Sequence, residues 1–308
     1  MKNVFIDGSA GTTGLRIAER LSGREDLSLI RLPEEHRKDP DARKEAIFQA
    51  DVAFLCLPDD AAREAVRLSE GADTCIIDTS TAHRTTDGWT YGFAEVNGLR
   101  EQIKNAKRIA NPGCHASGFI SLIAPLASAG LIAPDVQLSC FSLTGYTGGG
   151  KRMIAEYETE KTELLNAPRM YGLSQSHKHL PEMQKICGLS KAPVFCPVVS
   201  DFPCGMEVVI SLTQQETQAK IAEICDVYQE YYKDGLVRFV KDADENGFLS
   251  AGALAGRDDM EIAVFGNDER ILLVSRFDNL GKGASGAAIQ NMNLALGLDE
   301  RKGLVVPE

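Results

Sequence analysis

Short apolar runs alternate with amphipathic segments through the first hundred residues. NVFID, LSLIRL, VAFLCLP and TCIIDTS are brief and almost continuously hydrophobic, whereas TGLRIAERL, DARKEAIFQA and DAAREAVRLSEG repeat their apolar positions three and four residues apart. Strands buried on both faces lose the in-out alternation of a half-exposed sheet, and helices keep a period of 3.6. The pattern therefore predicts a doubly wound α/β domain, with parallel strands joined by crossover helices. A fifth strand, KRIANP, leads through Cys114 into the apolar helix ASGFISLIAPLASAG, which Gly130 ends and Pro134 follows.

Beyond residue 135 the rhythm changes. VQLSCFSLTGY, VFCPVVSDF, MEVVISL, GLVRFV and ERILLVSRFDN read as strands separated by fewer and less regular helices, which predicts an α+β domain with a mostly antiparallel sheet. The segment GASGAAIQNMNLALGL reads as a helix whose small residues permit close packing. The division expected is residues 1–113 for the first domain and 114–283 for the second.

Composition narrows the function classes. A chain of 308 residues with 44% hydrophobic positions can bury sizeable cores. The net charge of -11 disfavours nucleic acid and anionic membrane, both of which need a clustered basic face. No apolar run reaches the roughly 20 residues that cross a bilayer, and MKNVFIDG begins on a strand rather than on a leader peptide, so a cytoplasmic location is expected. The 8 cysteines include no C-x-x-C pair and are read as reduced thiols, with no metal site.

Two segments carry chemistry. In FIDGSAGTTGLRIAERL, Gly8, Gly11 and Gly14 stand between a strand and a helix, where a tight turn and close approach to a pyrophosphate need residues without side chains. The helix N-terminus at Thr12 and Thr13 would face the phosphates. Beyond the second strand, Arg31 precedes Glu34, Glu35, Arg37 and Lys38, and a cation at that place favours NADP over NAD. In NPGCHASG, Cys114 follows a Pro-Gly turn and opens a helix at the carboxyl end of a strand, a position that favours a thiolate. A nucleophilic thiol needs an acid/base partner. His177 and His179 in SQSHKHLPEM are the candidates, set on one side of an extended segment, whereas His115 is expected to point away from the cysteine, and His36 and His83 lie elsewhere. LTGYTGGGKRM offers Thr144, Thr147, Gly148, Gly149 and Lys151 as an anion nest, and TSTAHRT offers Ser80 and Arg84. A nucleotide loop, a reactive thiol and a histidine together suit acyl transfer coupled to hydride transfer. Two other readings compete: an NADP-binding sensor without catalysis, which has no use for such a thiol, and a hydrolase with a metal on His177, His179 and Glu182, whose H-x-H-x-x-E spacing is not that of a helical ligand pair.

GSAGTTG, NPGC, GYTGGGK, HKHLPE and DNLGKGASGAAIQNMNLALG, in this order and spanning nearly the whole chain, resemble the short form of the N-acetyl-gamma-glutamyl-phosphate reductase family. The resemblance implies NADP(H)-dependent reduction of N-acetyl-L-glutamyl 5-phosphate through a thioester on Cys114, in arginine biosynthesis, by a homo-oligomer (dimer or tetramer). It makes His177 and His179 the acid/base and substrate-orienting pair, without deciding which is which. For this reaction either Arg84 or the nest of Gly148, Gly149 and Lys151 is expected to bind the phosphate group, with Ser80, Asn279 and Gly281 contacting the cofactor. The resemblance also returns residues 284–308 to the first domain, over the cofactor. The architecture implied is that of semialdehyde and glyceraldehyde-3-phosphate dehydrogenases, and a sister reductase of aspartyl phosphate or carrier-bound aminoadipyl phosphate is the nearest alternative.

Overall fold

The computed structural model describes residues 1–307, and the chain divides into two compact units. Met1–Ala94, Gly98–Pro112 and Ala284–Leu304 form the first; Glu95–Asn97, Gly113–Gly283 and the tail from Val305 form the second.

In the first unit the chain runs β1 (Lys2–Asp7), α1 (Thr12–Leu21), β2 (Leu27–Ile30), α2 (Pro40–Gln49), β3 (Val52–Leu55), α3 (Asp59–Leu68), β4 (Cys75–Asp78), β5 (Thr90–Tyr91), α4 (Leu99–Lys104) and β6 (Arg108–Ala110). The sheet order is β2-β1-β3-β4-β6-β5, and every neighbouring pair is parallel. Val4, Val52, Phe54 and Ile77 pack on one face with Ile17 and Leu21, while Phe5, Ala53, Leu55 and Ile76 pack on the other with Ile47 and Ala65. Burial on both faces is the reason these strands read as unbroken apolar runs. The strand before Cys114 is the sixth rather than the fifth, because the two-residue β5 has no periodicity to betray it.

The second unit contains α5 (Cys114–Ser128), β7 (Ser139–Gly145), α6 (Gly150–Glu158), β8 (Arg169–Met170), α7 (Leu180–Ile186), β9 (Val194–Ser200), β10 (Met206–Thr213), α8 (Ile221–Tyr231), β11 (Val237–Phe239), β12 (Met260–Asn267) and β13 (Arg270–Phe277). The last helix, α9 (Gly286–Ala295), belongs to the first unit, where Ala288, Ile289 and Met292 join the core. The second sheet has the order β11-β12-β13-β10-β7-β9-β8. Its pairs are antiparallel except β11 with β12 and β7 with β9. Strand β12 is eight residues long and paired on both sides, with β11 and β13, yet the sequence reading passes over it, from GLVRFV straight to ERILLVSRFDN.

Helix α5 is the spine of this unit. Phe119, Ile120, Leu122, Ile123 and Leu126 are fully buried, and each such side chain contributes roughly 1.5–3 kcal/mol of hydrophobic stabilisation. Pro125 lies inside the helix and has no N–H for the carbonyl four residues back, that of Ser121. The Tyr232 hydroxyl donates to that carbonyl at 2.7 Å, and the Tyr228 hydroxyl donates to the next one, Leu122, at 2.6 Å. The chain ends the helix at Gly130, whose φ is 73°, with the Leu131 N–H returning to the Leu126 carbonyl at 2.8 Å.

Removing the donor in Tyr232→Phe strands a buried carbonyl and should cost about 1–2 kcal/mol. In a Pro125→Ala background, where residue 125 again offers an N–H, the same change should cost less. Equilibrium urea unfolding of the four-member cycle measures the difference, and equal costs in both backgrounds would refute the pairing.

Candidate active site

The glycine loop of the first unit is built for close approach. Gly8 has φ of +85°, and a Cβ there would lie 2.3 Å from the Cys56 carbonyl oxygen; a Cβ at Gly14 would lie 2.5 Å from the Gly8 oxygen. Gly11 donates to the Gly8 carbonyl at 3.0 Å and caps α1 with no side-chain acceptor, and the first turn of α1 holds no acidic residue. The N–H groups of Thr12 and Thr13 thus stand at an uncapped helix N-terminus, a donor set that fits a pyrophosphate. Arg31 is exposed, one residue past β2.

At the carboxyl ends of β4 and β6 the predicted side chains are already engaged with their own unit. The buried Asp78 carboxylate accepts from the Ser80 N–H at 2.9 Å and the Ser80 hydroxyl at 2.8 Å, and it bonds His83 Nδ1 at 2.6 Å. His83 in turn stacks on Trp89, centroids 4.1 Å apart. Arg84, which the sequence reading offers to an anion, directs Nε to the Asn111 carbonyl at 2.9 Å and Nη2 to the Thr79 carbonyl at 3.1 Å.

In the second unit Cys114 is the first residue of α5, after Gly113 in extended conformation. The buried Glu182 carboxylate accepts from the Gly113 N–H at 3.1 Å, tying α7 to the turn that carries the thiol. On another side lies a π-helical turn, Gly281–Ser285, where a Cβ at Gly283 would come within 3.0 Å of the Cys114 Cβ. Asp278 anchors that turn by accepting from the N–H groups of Leu280 and Gly281, each at 2.7 Å. Asn279 and Gly281 therefore hold backbone here. Asn279 accepts from the Gly205 N–H at 2.9 Å and donates to Thr147 Oγ1 at 3.1 Å, fixing the 3-10 turn Tyr146–Gly149 that contains Gly148 and Gly149. Lys151 is exposed at the second position of α6.

His177 and His179 meet edge to face at 4.7 Å, but by a turn rather than along an extended segment. The His179 N–H donates to His177 Nδ1 at 3.2 Å, which leaves the His177 proton on Nε2 in the neutral ring. His115, expected to point away from the cysteine, is directed at this pair, its ring 5.7 Å from His177 and 5.6 Å from His179. The reason is the start of α5: one step of a helix past Cys114 turns the next side chain toward the loop that precedes α7. His115 Nδ1 bonds Ser142 Oγ at 2.6 Å and Nε2 bonds Tyr171 Oη at 2.5 Å. Burial pushes the His115 pKa down to about 3, helped by the nearby His177 and Lys178. Tyr171 and Ser142 escaped the sequence reading because neither sits in a motif. Burial raises the Tyr171 phenol above its ordinary range and the charge of the neighbouring Cys114 raises it further. Burial alone raises the Cys187 thiol, and it is the leading cause at Cys56, which is pushed up to about 12.

The family models that match the chain are described as the semialdehyde dehydrogenase NAD binding domain, over residues 33–106, and the semialdehyde dehydrogenase dimerisation domain, over residues 114–279. An N-acetyl-gamma-glutamyl-phosphate reductase of Brucella anthropi is 48% identical over 305 residues, covering 96% of this chain and 98% of that protein. The protein of the same name from Brucella ovis is 47% identical with the same coverage. Aspartate semialdehyde dehydrogenase II of Vibrio cholerae, solved as a complex with ASA, has a TM-score of 0.74 at 18% identity, over 96% of this chain and 98% of that one. Aspartate semialdehyde dehydrogenase of Candida albicans, solved with NADP, gives 0.70 at 15% identity, again over 96% and 98%. At such identities the likeness is one of fold.

A buried neutral histidine makes stability depend on pH. Because the folded pKa of His115, about 3, lies below the ordinary 6.5, the unfolded chain binds the extra proton between those values and stability falls as pH drops through that window. The loss is on the order of 4 kcal/mol when complete. Urea midpoints measured from pH 7 to pH 4 should fall less steeply in His115→Gln than in the parent chain; parallel slopes would contradict the buried neutral ring.

Proposed function

The chain belongs to the N-acetyl-gamma-glutamyl-phosphate reductase family, and from that membership we propose that it reduces N-acetyl-L-glutamyl 5-phosphate to N-acetyl-L-glutamate 5-semialdehyde with release of phosphate. This is a step of arginine biosynthesis, with NADPH as the reductant and Cys114 as the nucleophile. The observation that carries the reading is the identity of 47–48% with reductases of that name across 96% of the chain. The arrangement around Cys114 supports it.

The first unit holds the dinucleotide, its pyrophosphate on the N–H groups of Thr12 and Thr13 beside Gly8, Gly11 and Gly14. Arg31, exposed past β2, supports NADP by offering a cation to a 2′-phosphate. Bound NADPH supplies the hydride that reduces the acyl group. The second unit supplies the remaining groups. A histidine of the His177 and His179 pair takes the thiol proton as Cys114 attacks the acyl carbon. The carbon to phosphate-oxygen bond breaks, the proton goes to the leaving phosphate, and a thioester remains on Cys114. Backbone N–H groups at the start of α5 stabilise the oxyanion, a term of about 3 kcal/mol per donor. After reduction the carbon–sulfur bond breaks, the aldehyde departs and the thiolate is restored. Lys151 and the Gly148 and Gly149 turn support phosphate binding from the second unit.

Assembly as a homo-oligomer is part of the same proposal. On the face of the second sheet opposite α5, strand register sets Phe141, Val209 and Cys196 side by side, flanked by Val194 and Leu272. Phe141, Val194 and Leu272 are exposed, and Glu207 on the same face has its carboxyl raised chiefly by burial. An apolar sheet face of this kind suits a second copy of the chain.

Cys114→Ser should abolish phosphate-dependent NADP reduction by N-acetyl-L-glutamate 5-semialdehyde while NADP binding and the thermal midpoint stay unchanged; retained turnover would sink the assignment. Aspartate semialdehyde, tried in the same assay, separates the sister reductase. Phe141→Asp should shift the protein to a smaller species in sedimentation velocity, and an unchanged sedimentation coefficient would remove this face from the interface.

A further inference from the structure

Tyr171 takes no part in the steps above, yet its phenol ends a hydrogen-bonded chain whose direction is decided by burial. Ser142 on β7 is wholly buried, and its hydroxyl bonds His115 Nδ1 at 2.6 Å. Among the described residues it has no other hydrogen-bond partner. If the ring donated to Ser142, the serine proton would be left buried without an acceptor, at a cost of about 1–3 kcal/mol. The serine therefore donates and Nδ1 accepts. The ring is neutral, so its one proton sits on Nε2 and goes to Tyr171 Oη, 2.5 Å away. The phenol accepts from His115 and turns its own proton outward.

The phenol stands in the cluster next to Cys114: it bonds the residue that follows Cys114, and its ring lies 5.9 Å from that of His177. Burial opposes ionisation of the phenol, and the charge of Cys114 opposes it further, so Tyr171 keeps its proton. Its position is fixed from both sides in the sequence. The Tyr171 N–H continues the β8 ladder to the Pro197 carbonyl at 3.0 Å, and Gly172, with φ of +63°, then turns the chain back toward His177. Tyr171 Oη is thus a fixed donor in the histidine cluster that adjoins Cys114.

We infer that Tyr171 donates a hydrogen bond to the reacting carbonyl oxygen of the acyl substrate as Cys114 adds to it, with Ser142 and His115 as positioning residues that set the direction of that donor. The inference rests on Cys114 being the nucleophile. No proton is transferred; the phenol stabilises the negative charge that the oxygen gains on attack, and again when the thioester is reduced. A neutral donor suits this task, since it strengthens its bond as charge develops and leaves the Cys114 thiol proton to the histidine pair.

The test is steady-state kinetics with N-acetyl-L-glutamate 5-semialdehyde, phosphate and NADP, beside iodoacetamide labelling of Cys114 across pH, on the parent enzyme, Cys114→Ser, Tyr171→Phe and Ser142→Ala. Loss of one oxyanion donor costs about a hundredfold in kcat. Tyr171→Phe should therefore lower kcat by more than about tenfold, with KM for the semialdehyde and the labelling profile of Cys114 unchanged. Ser142→Ala should lower kcat by a smaller factor, because His115 is then free to take the other tautomer. A kcat in Tyr171→Phe within about tenfold of the parent, a loss confined to KM, or a labelling midpoint moved to higher pH overturns the inference, the last by assigning the phenol to the thiolate. An unchanged kcat in Ser142→Ala overturns the direction assigned to the chain, and it decides the matter alone if Tyr171→Phe does not fold. An inactive parent enzyme, or a Cys114→Ser variant as active as the parent, brings down the functional reading itself and the inference with it.

Discussion

Helix α5 begins at a buried turn whose N–H at Gly113 is held by the Glu182 carboxylate, and the second unit is organised around that start. Its burial along most of its length lets no solvent complete its hydrogen bonds, so protein groups must do it. Glu182 does so at one end. Tyr232 and Tyr228 do so in the middle, where Pro125 has removed a donor. With the axis held at three places the first residue, Cys114, is placed by the helix rather than by a loop. The next residue, His115, is aimed by the same geometry into the histidine cluster.

Burial sorts the titratable groups of this unit into two kinds. His115 and the Cys187 thiol are held neutral by desolvation, and such groups serve as fixed dipoles or as packing. Cys114 is partly exposed, at a helix start with polar neighbours, and is the cysteine whose setting suits chemistry. The nucleotide loop shows the same economy of backbone: Gly8 and Gly14 allow carbonyls to approach within distances that any side chain would block.

The elements with strong periodicity were legible in the sequence. The parallel strands of the first sheet, the helix after the glycine loop, the long apolar α5 and the strands β7, β9, β10, β11 and β13 all stand where hydrophobic pattern puts them. Strand β12 was missed, as were β5 and β8, which have two residues each and exist only through pairing with β6 and β9. Of the candidate site, Cys114 and the histidine pair were legible as types in a pattern. What His115 touches was not, because Ser142 and Tyr171 lie 27 and 56 residues along the chain from the ring that joins them.

Sequence by itself determined the identity of the family, the strand-glycine-helix loop and the place of a lone cysteine at the head of a helix, since each follows from local conformation that a few adjacent residues dictate. Tertiary structure alone decided which side chains were already committed. Ser80 and Arg84 carry the right chemistry for a bound anion, yet Asp78 and two backbone carbonyls hold them. The same holds for Asn279, which spans Gly205 and Thr147. A hydrogen bond is short-ranged and satisfied by whichever partner the fold brings within 3 Å, so its owner cannot be read from spacing along the chain.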